Sequence, residues 1–385
     1  MSILVHRATT RVLILLAVTS LFASSVLAGA LVRARPHSDF KCAVPLQDRL
    51  DLHRQDGPKV NGKRIQIVDF EREADKANGG TIAYNPTFID TQIHGRPVTV
   101  LAARIESLNG ELDTETRFFE QDTTGVYRAI PNAPIFKLQD PFNTIIDGEL
   151  VFGGVHAYED GYDAVNKRVI VNYETVFYRD FKKGLMSIDP KTEFARGPSH
   201  MKDIRLGERT LDGKSEIHLF TRPQGHEFGR GVIGHKVIQS LNDLKNLSTY
   251  ADGITIFKDL WPEKEWGGIN SVTYLKEQDK FVLFGHQARY TDPPGSKEET
   301  RNYASFVLKF DPATSEFHNP LIIAERSQFE GGVKDGSKRP DLEDVIFSGH
   351  IRFLPNGDAE ILVGGGDRHI YWAIIPRVLQ RLGLN

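Results

Sequence analysis

His94-Gly95-Arg96-Pro97-Val98-Thr99-Val100-Leu101-Ala102-Ala103-Arg104-Ile105-Glu106-Ser107 opens on a tight polar turn, runs through an apolar strand and ends in charged side chains. The same phrase recurs at Asp147-Gly148 with Leu150 to Tyr158, Asp212-Gly213 with Ile217 to Pro223, Gln278-Asp279 with Phe281 to Arg289, and Asn356-Gly357 with Ile361 to Asp367. Strands that keep ending in Arg, His and Asp point to a radial β-array whose blades share one central polar pocket. The copies lie roughly 50 to 80 residues apart, longer than a typical blade repeat, so inserted loops are expected. A β-sandwich with five similar hairpins is the competing arrangement, but its strands have no need for polar endings at the same place in each phrase.

Outward from these phrases the period stays near two from Lys63 onward. Val98 to Ala103, Val169 to Tyr173 and Phe281 to Phe284 are short, β-branched or aromatic runs bounded by turn residues, and read as strands. Helical pattern is scarce: a short turn over Ser240 to Leu247 with Ser240 as its cap, and a C-terminal one over Arg377 to Leu384. Residues 36–62 are charged, prolyl and aperiodic, and read as a stem. Val12 to Val32 carry no charge and are flanked by basic residues, so residues 1–35 read as a cleaved secretory signal or an uncleaved membrane anchor. Both send the folded part to the secretory lumen or outside the cell. Cys42 is the only cysteine, so packing and not an internal disulfide must hold the domain. Asn246-Leu247-Ser248 is the one glycosylation acceptor, since proline blocks Asn85-Pro86-Thr87.

The chain has 385 residues, 40% of them hydrophobic, which is ample for one large all-β domain. A net charge of −3, with no basic stripe interleaved with aromatics, argues against a nucleic-acid partner. No glycine-rich dinucleotide fingerprint, P-loop, H-E-x-x-H or paired C-x-x-C occurs, and the histidines have no metal-ligand spacing, so no cofactor and no metal are expected.

Several segments could carry chemistry. In Gln139-Asp140-Pro141-Phe142 the proline excludes the helical region for Asp140, which is expected to be extended with a fixed carboxylate, as a general acid requires. Plain turn punctuation is the alternative for an Asp-Pro pair. Alternation puts Arg104 and Glu106 on one side of their strand, where they could grip adjacent sugar hydroxyls or pair with each other. Tyr84-Asn85-Pro86-Thr87 is a constrained polar tip or a plain turn. Lys202, Arg222, His286 and Arg289 concentrate donors suited to phosphate, although each alone reads as a surface charge. In Val363-Gly364-Gly365-Gly366-Asp367-Arg368 the glycines would let backbone approach a ligand, or mark a bulge.

Taken in order, Asn85-Pro86, Arg104-Ile105-Glu106-Ser107, Asp140-Pro141, Lys202-Asp203, Arg222-Pro223, Gly285-His286 and the glycine-rich strand ending in Asp367 resemble the inverting β-1,2-mannoside phosphorylases. The resemblance is nearest to the trypanosomatid mannosyltransferase-phosphorylases and covers Lys63 to Pro376. It implies a five-bladed β-propeller over residues 63–376 with a central active-site pocket, followed by a tail at 377–385. It also implies reversible mannosyl transfer between β-1,2-mannan oligosaccharides and either phosphate or GDP-mannose. Asp140 is then the expected general acid. Asn85, Arg104, Glu106, Asp203 and Asp367 are expected to orient mannose, and Lys202, Arg222, His286 and Arg289 to hold phosphate or the donor diphosphate. One departure stands out: the resembled enzymes usually read Glu-Asp-Pro-Arg, where this chain has Gln139 and Phe142, so only Asp140 and Pro141 carry over. A hydrolase on the same scaffold, or a non-catalytic sugar-binding propeller, are the competing functions.

Overall fold

Every one of the five turn signals joins two antiparallel strands. His94-Gly95, Asp147-Gly148 and Asp212-Gly213 have positive φ at both residues, the geometry whose twist matches that of the flanking strands. The computed structural model describes residues 43–163, 168–225, 228–247, 254–257, 260–291, 300–318 and 320–384. The Val12 to Val32 stretch, Cys42 and Ser248 of the glycosylation triplet lie outside them. No described helix is long and apolar enough to cross a membrane.

The protein is mostly β, with 53% of the described residues in strands or bridges. Sheet I runs in the order Ile67–Val68, Tyr127–Ala129, Glu115–Gln121, Arg96–Ser107, Thr81–Ile93. Sheet II runs Ala195–Arg196, Arg168–Tyr178, Glu149–Asp163, Gln139–Ile146, and sheet III Arg205–Leu211, Lys214–Thr221, Ile233–Ile238, Thr255–Phe257. Sheet IV has nine strands in two antiparallel parts, one around Glu265–Leu275, Lys280–Thr291 and Thr300–Asp311, the other around Asp344–Phe353, Ala359–Gly365 and His369–Ile375. The two parts meet in a short parallel pairing, Asn302 with Asp344 and Tyr303 with Val345.

Five strands position the site: Thr81–Ile93, Gln139–Ile146, Arg205–Leu211, Glu265–Leu275 and Asp344–Phe353. Each packs against the next, and Asp344–Phe353 packs back against Thr81–Ile93. Apolar clusters fill the seams. Phe118, Phe136 and Phe152 join sheets I and II, and Phe142, Phe177 and Leu219 join II and III. Phe220, Phe281 and Phe306 join III and IV, Phe284 and Ile346 join the two parts of IV, and Leu101, Phe119 and Leu362 join IV back to I.

The expectation of an aperiodic stem fails within residues 36–62, because Leu46–Asp56 form an α-helix. Leu46, Leu50 and His53 recur on one helix face, a pattern too short to stand out among the surrounding charges. Leu46 and Leu50 sit in the cluster shared by sheets III and IV. The Glu265 carboxylate accepts from the Leu46 N–H at 2.9 Å, and Arg49 Nη1 donates to the Pro320 carbonyl at 2.7 Å. Lys63–Arg64 then pair with His369–Ile375, tying the N-terminal side of the domain to its last sheet. The helical turn expected after Ser240 is present as a 3₁₀ segment, Leu241–Asn246, capped by the Ser240 hydroxyl. A four-residue helix, Val378–Arg381, forms within the C-terminal stretch.

Sheet III also buries a histidine pair. His218 Nδ1 and His235 Nε2 are 2.9 Å apart among Phe220, Phe281 and Phe310, and His218 Nε2 lies 3.1 Å from Glu216 Oε1. Burial, with His218 adding to it, pushes the His235 imidazole down to about 3. The unfolded chain takes up a proton near pH 6.5 that the folded chain refuses, so this contribution is complete above pH 6.5 and falls away towards pH 3. At pH 5 the loss from one such histidine is about 2 kcal/mol. Chemical denaturation at pH 7 and pH 5 is expected to show His235→Gln losing less stability than the wild type by roughly this amount. Equal losses would mean that His235 is not the group excluded from protonation.

Candidate active site

Where the sheets converge, the regular ladder breaks at the same level in several strands. Asn85-Pro86 and Asp140-Pro141 each oppose a single residue of the neighbouring strand, and register shifts recur at Asn270 and Gly349. A bulge re-aims a side chain that strict alternation would send to a sheet face. Proline suits such a position because its missing N–H needs no ladder partner. Asn85, Asp140, Asp203 and Asp367 all have positive φ, between +47° and +62°. Asx side chains tolerate this left-handed region. The expectation that Pro141 holds Asp140 extended is therefore corrected: Asp140 lies inside a strand at φ +49°. Pro141 does exclude the right-handed helical region, but the bulge takes the left-handed alternative.

These residues face one cavity of about 420 Å³. Of the candidates, Asn85, Arg104, Asp140, Lys202, Asp203, Arg222, His286 and Asp367 line it. Glu106 and Arg289 do not.

Asp140 is 6% exposed, and its Oδ1 accepts from Asn85 Nδ2 at 2.7 Å and from Arg104 Nη1 at 3.3 Å. Asn85 is held in turn by the glycine run, since a Cβ on Gly364 would overlap its amide oxygen. The close approach that Gly364 permits is thus to a neighbouring sheet.

Glu106 lies beneath this pair and is fully buried. Arg104 Nη2 donates to its Oε2 at 2.7 Å and Thr114 Oγ1 at 2.5 Å, while Tyr84 and Lys338 bond its Oε1. Burial alone would raise the Glu106 carboxyl, but Arg104 and Lys338 outweigh it and hold it at about 2. With its oxygens so occupied, Glu106 fixes Arg104 instead of gripping a hydroxyl. The pairing alternative read from strand alternation is the one realised.

On the cation side, Arg222 Nη1 donates to Asp203 Oδ2 at 2.6 Å. Burial opposes ionisation of Asp203, yet Arg222 and Arg205 keep its carboxyl at about 2. Lys202 lies over the Tyr173 ring, 4.3 Å from its centroid, and burial with the nearby Arg222 lowers its pKa. His286 stacks on Tyr303 and its Nδ1 lies 2.8 Å from Asn270 Oδ1. Burial, reinforced by Arg222, pushes the imidazole down to about 3, which disfavours a charged ring. Burial raises the Asp367 carboxyl, partly offset by Arg104.

Arg289 belongs elsewhere. Its guanidinium bonds Gln47 of the N-terminal helix, a partner that the stem reading of residues 36–62 could not supply. Phe142, at the departure from the resembled pattern, is buried under the Arg205 guanidinium at 4.0 Å, and Gln139 donates to the Glu111 carbonyl at 2.8 Å. Sequence reasoning missed Arg230, Arg301, Lys338 and Arg339, which also line the cavity. They come from loops and a strand start, and only the basic pair before Pro340 gave a signal. Among the described residues no cluster of three or more His, Cys, Asp or Glu could hold a metal ion.

This is a mostly-β scaffold with a cavity lined by both cations and carboxyl groups. Residues 76–379 match the family described as "Protein of unknown function (DUF1861)", and the chain belongs to it. A comparison with curated proteins finds no match. Among solved structures, the chain is similar to MPT-4, a mannose phosphorylase from Leishmania mexicana in complex with a phosphate ion. The TM-score is 0.70 at 22% identity, covering 87% of this chain and 94% of that one. It is also similar to MPT-1, a GDP-Man-dependent mannosyltransferase from Leishmania mexicana, with TM-score 0.68, 23% identity and coverage of 88% and 96%. A hypothetical protein from Leishmania major follows at TM-score 0.63, 22% identity and coverage of 86% and 94%. The resemblance drawn from the order of motifs is borne out at the level of the fold.

Proposed function

We propose that the protein is an inverting mannosyl-transfer enzyme built on a five-bladed β-propeller, with sheet IV supplying two blades. It passes mannose between β-1,2-mannan oligosaccharides and phosphate, or from GDP-mannose in synthesis. The cyclic packing of the five innermost strands supports the blade count. The observation that carries the function is the bulge-held carboxyl of Asp140, oriented by Asn85 and Arg104, in the same cavity as Lys202 and Arg222. The shared fold with a phosphorylase bound to phosphate agrees with this reading.

Most glycosidases need a second carboxyl group to activate water or to attack directly. Phosphate is already an anionic nucleophile at neutral pH, so it needs no second carboxylate to activate it, and of the other carboxylates lining the cavity Asp203 is engaged by Arg222. Lys202 and Arg222 hold phosphate against the anomeric carbon, with His286 contributing a neutral ring nitrogen. A phosphate oxygen bonds to C1 as the C1–O glycosidic bond breaks, and the leaving oxygen takes the Asp140 proton, directly or through a mannose hydroxyl. The products are mannose 1-phosphate and an oligosaccharide one unit shorter. In reverse, the Asp140 carboxylate accepts the proton of the attacking acceptor hydroxyl. Asn85, Arg104, Asp203 and Asp367 orient the sugar. Incubation with a β-1,2-mannan oligosaccharide is expected to give product in proportion to added phosphate. Release of free mannose without phosphate would instead indicate the hydrolase, and binding without turnover in phosphate or GDP-mannose a lectin-like role.

A further inference from the structure

Arg230 stands between Gly229 and Gly231, whose φ values of +58° and +142° present it on a tight turn at the cavity wall. Its carbonyl accepts from Arg222 Nη2 at 3.3 Å and from Gln224 Nε2 at 2.8 Å. The inner cation is therefore one hydrogen bond from the backbone of the outer one. A side chain on Gly231 would collide with Arg222, so the turn packs closely against the inner cation. The Arg230 guanidinium lies 4.6 Å from the Trp266 ring centroid and 4.9 Å from that of Tyr290. Arg301 lines the same cavity, 6.0 Å from the Tyr290 centroid. Stacking on rings fixes the guanidinium plane while leaving its edge donors for a ligand.

We propose that Arg230, clamped by Trp266 and Tyr290 and flanked by Arg301, forms a second anion position that takes the distal phosphate of a diphosphate-linked sugar donor, next to the Lys202 and Arg222 position. The inference rests on the reading of the cavity as a transferase site. It adds a division of labour: the inner cations serve any phosphate, and the outer pair serves only a ligand with two. The planar fork also makes a bidentate contact that a point charge cannot reproduce.

Titration calorimetry on the full chain with inorganic phosphate, pyrophosphate and GDP tests this. Arg230→Met is expected to weaken pyrophosphate and GDP roughly 10- to 100-fold while changing phosphate by less than about twofold. Arg230→Lys should recover only part of the loss, and an unchanged unfolding midpoint in both variants shows that the fold is kept. Equal weakening of all three ligands, or no weakening of pyrophosphate, would overturn the second position. So would a wild type that binds phosphate but neither diphosphate. Failure of the wild type to bind any of the three would remove the transferase reading itself, a result distinguishable from the others.

Discussion

Asp140→Asn is expected to lower mannose 1-phosphate formation by roughly a hundred- to ten-thousandfold, the usual worth of a positioned general acid. The amide keeps the oxygen that accepts from Asn85 and Arg104, so the bulge and its neighbours lose little. It cannot release a proton to the leaving oxygen, and in the reverse direction it cannot accept one. Both directions should therefore fall together, whereas a substrate-binding residue would show first in KM. The unfolding midpoint should move little. Wild-type turnover in a folded Asp140→Asn protein would take the residue out of the mechanism.

Glu106→Gln is expected to destabilise the fold by about 3–5 kcal/mol, because removing one member of a buried ion pair strands the other. Two buried cations would lose their main partner: the Arg104 and Lys338 side chains are 8% and 6% exposed, and without this carboxylate Arg104 keeps only Asp140 at 3.3 Å and Lys338 only the Gly110 carbonyl. Glutamine preserves the shape but turns an amide N–H towards donors that need an acceptor. Activity should fall too, since Arg104 connects Glu106 to Asp140. Urea denaturation reads the first effect and steady-state kinetics the second. A shift below about 1 kcal/mol would show that solvent or Asp140 takes over the pairing.

The hairpins were legible because their signals are local. A turn such as Asp147-Gly148 or Asp212-Gly213 needs positive φ at adjacent residues, and few residue types allow it. Eight of the ten candidate site residues line the cavity, and six were legible for a similar reason: Asn85 and Asp140 sit at bulges, and Lys202, Asp203, Arg222 and Asp367 flank strand ends, where Asx residues, prolines and glycines mark the chain, while Arg104 and His286 lie within strands. What the sequence hid depends on long-range partners. Glu106 and Arg104 share a strand face whether they bind sugar or each other, and Thr114 from the following turn and Lys338 from a distant loop settle the matter. Arg289 looks like one more strand-end cation until the helix Leu46–Asp56 supplies Gln47. The low pKa of His286 follows from burial beside Arg222, which has no trace in the local sequence. Arg230 and Arg301 lie away from the five repeated phrases, so a search along those phrases passes over them.

The central claim is that phosphate, not water, meets the sugar opposite Asp140. Phosphorus NMR of the purified protein with a β-1,2-linked mannan oligosaccharide and inorganic phosphate tests it most directly. Inversion at a β-linkage predicts a growing α-mannose 1-phosphate signal matched by loss of inorganic phosphate. An unchanged phosphate signal alongside oligosaccharide cleavage, or a β-configured product, would contradict it.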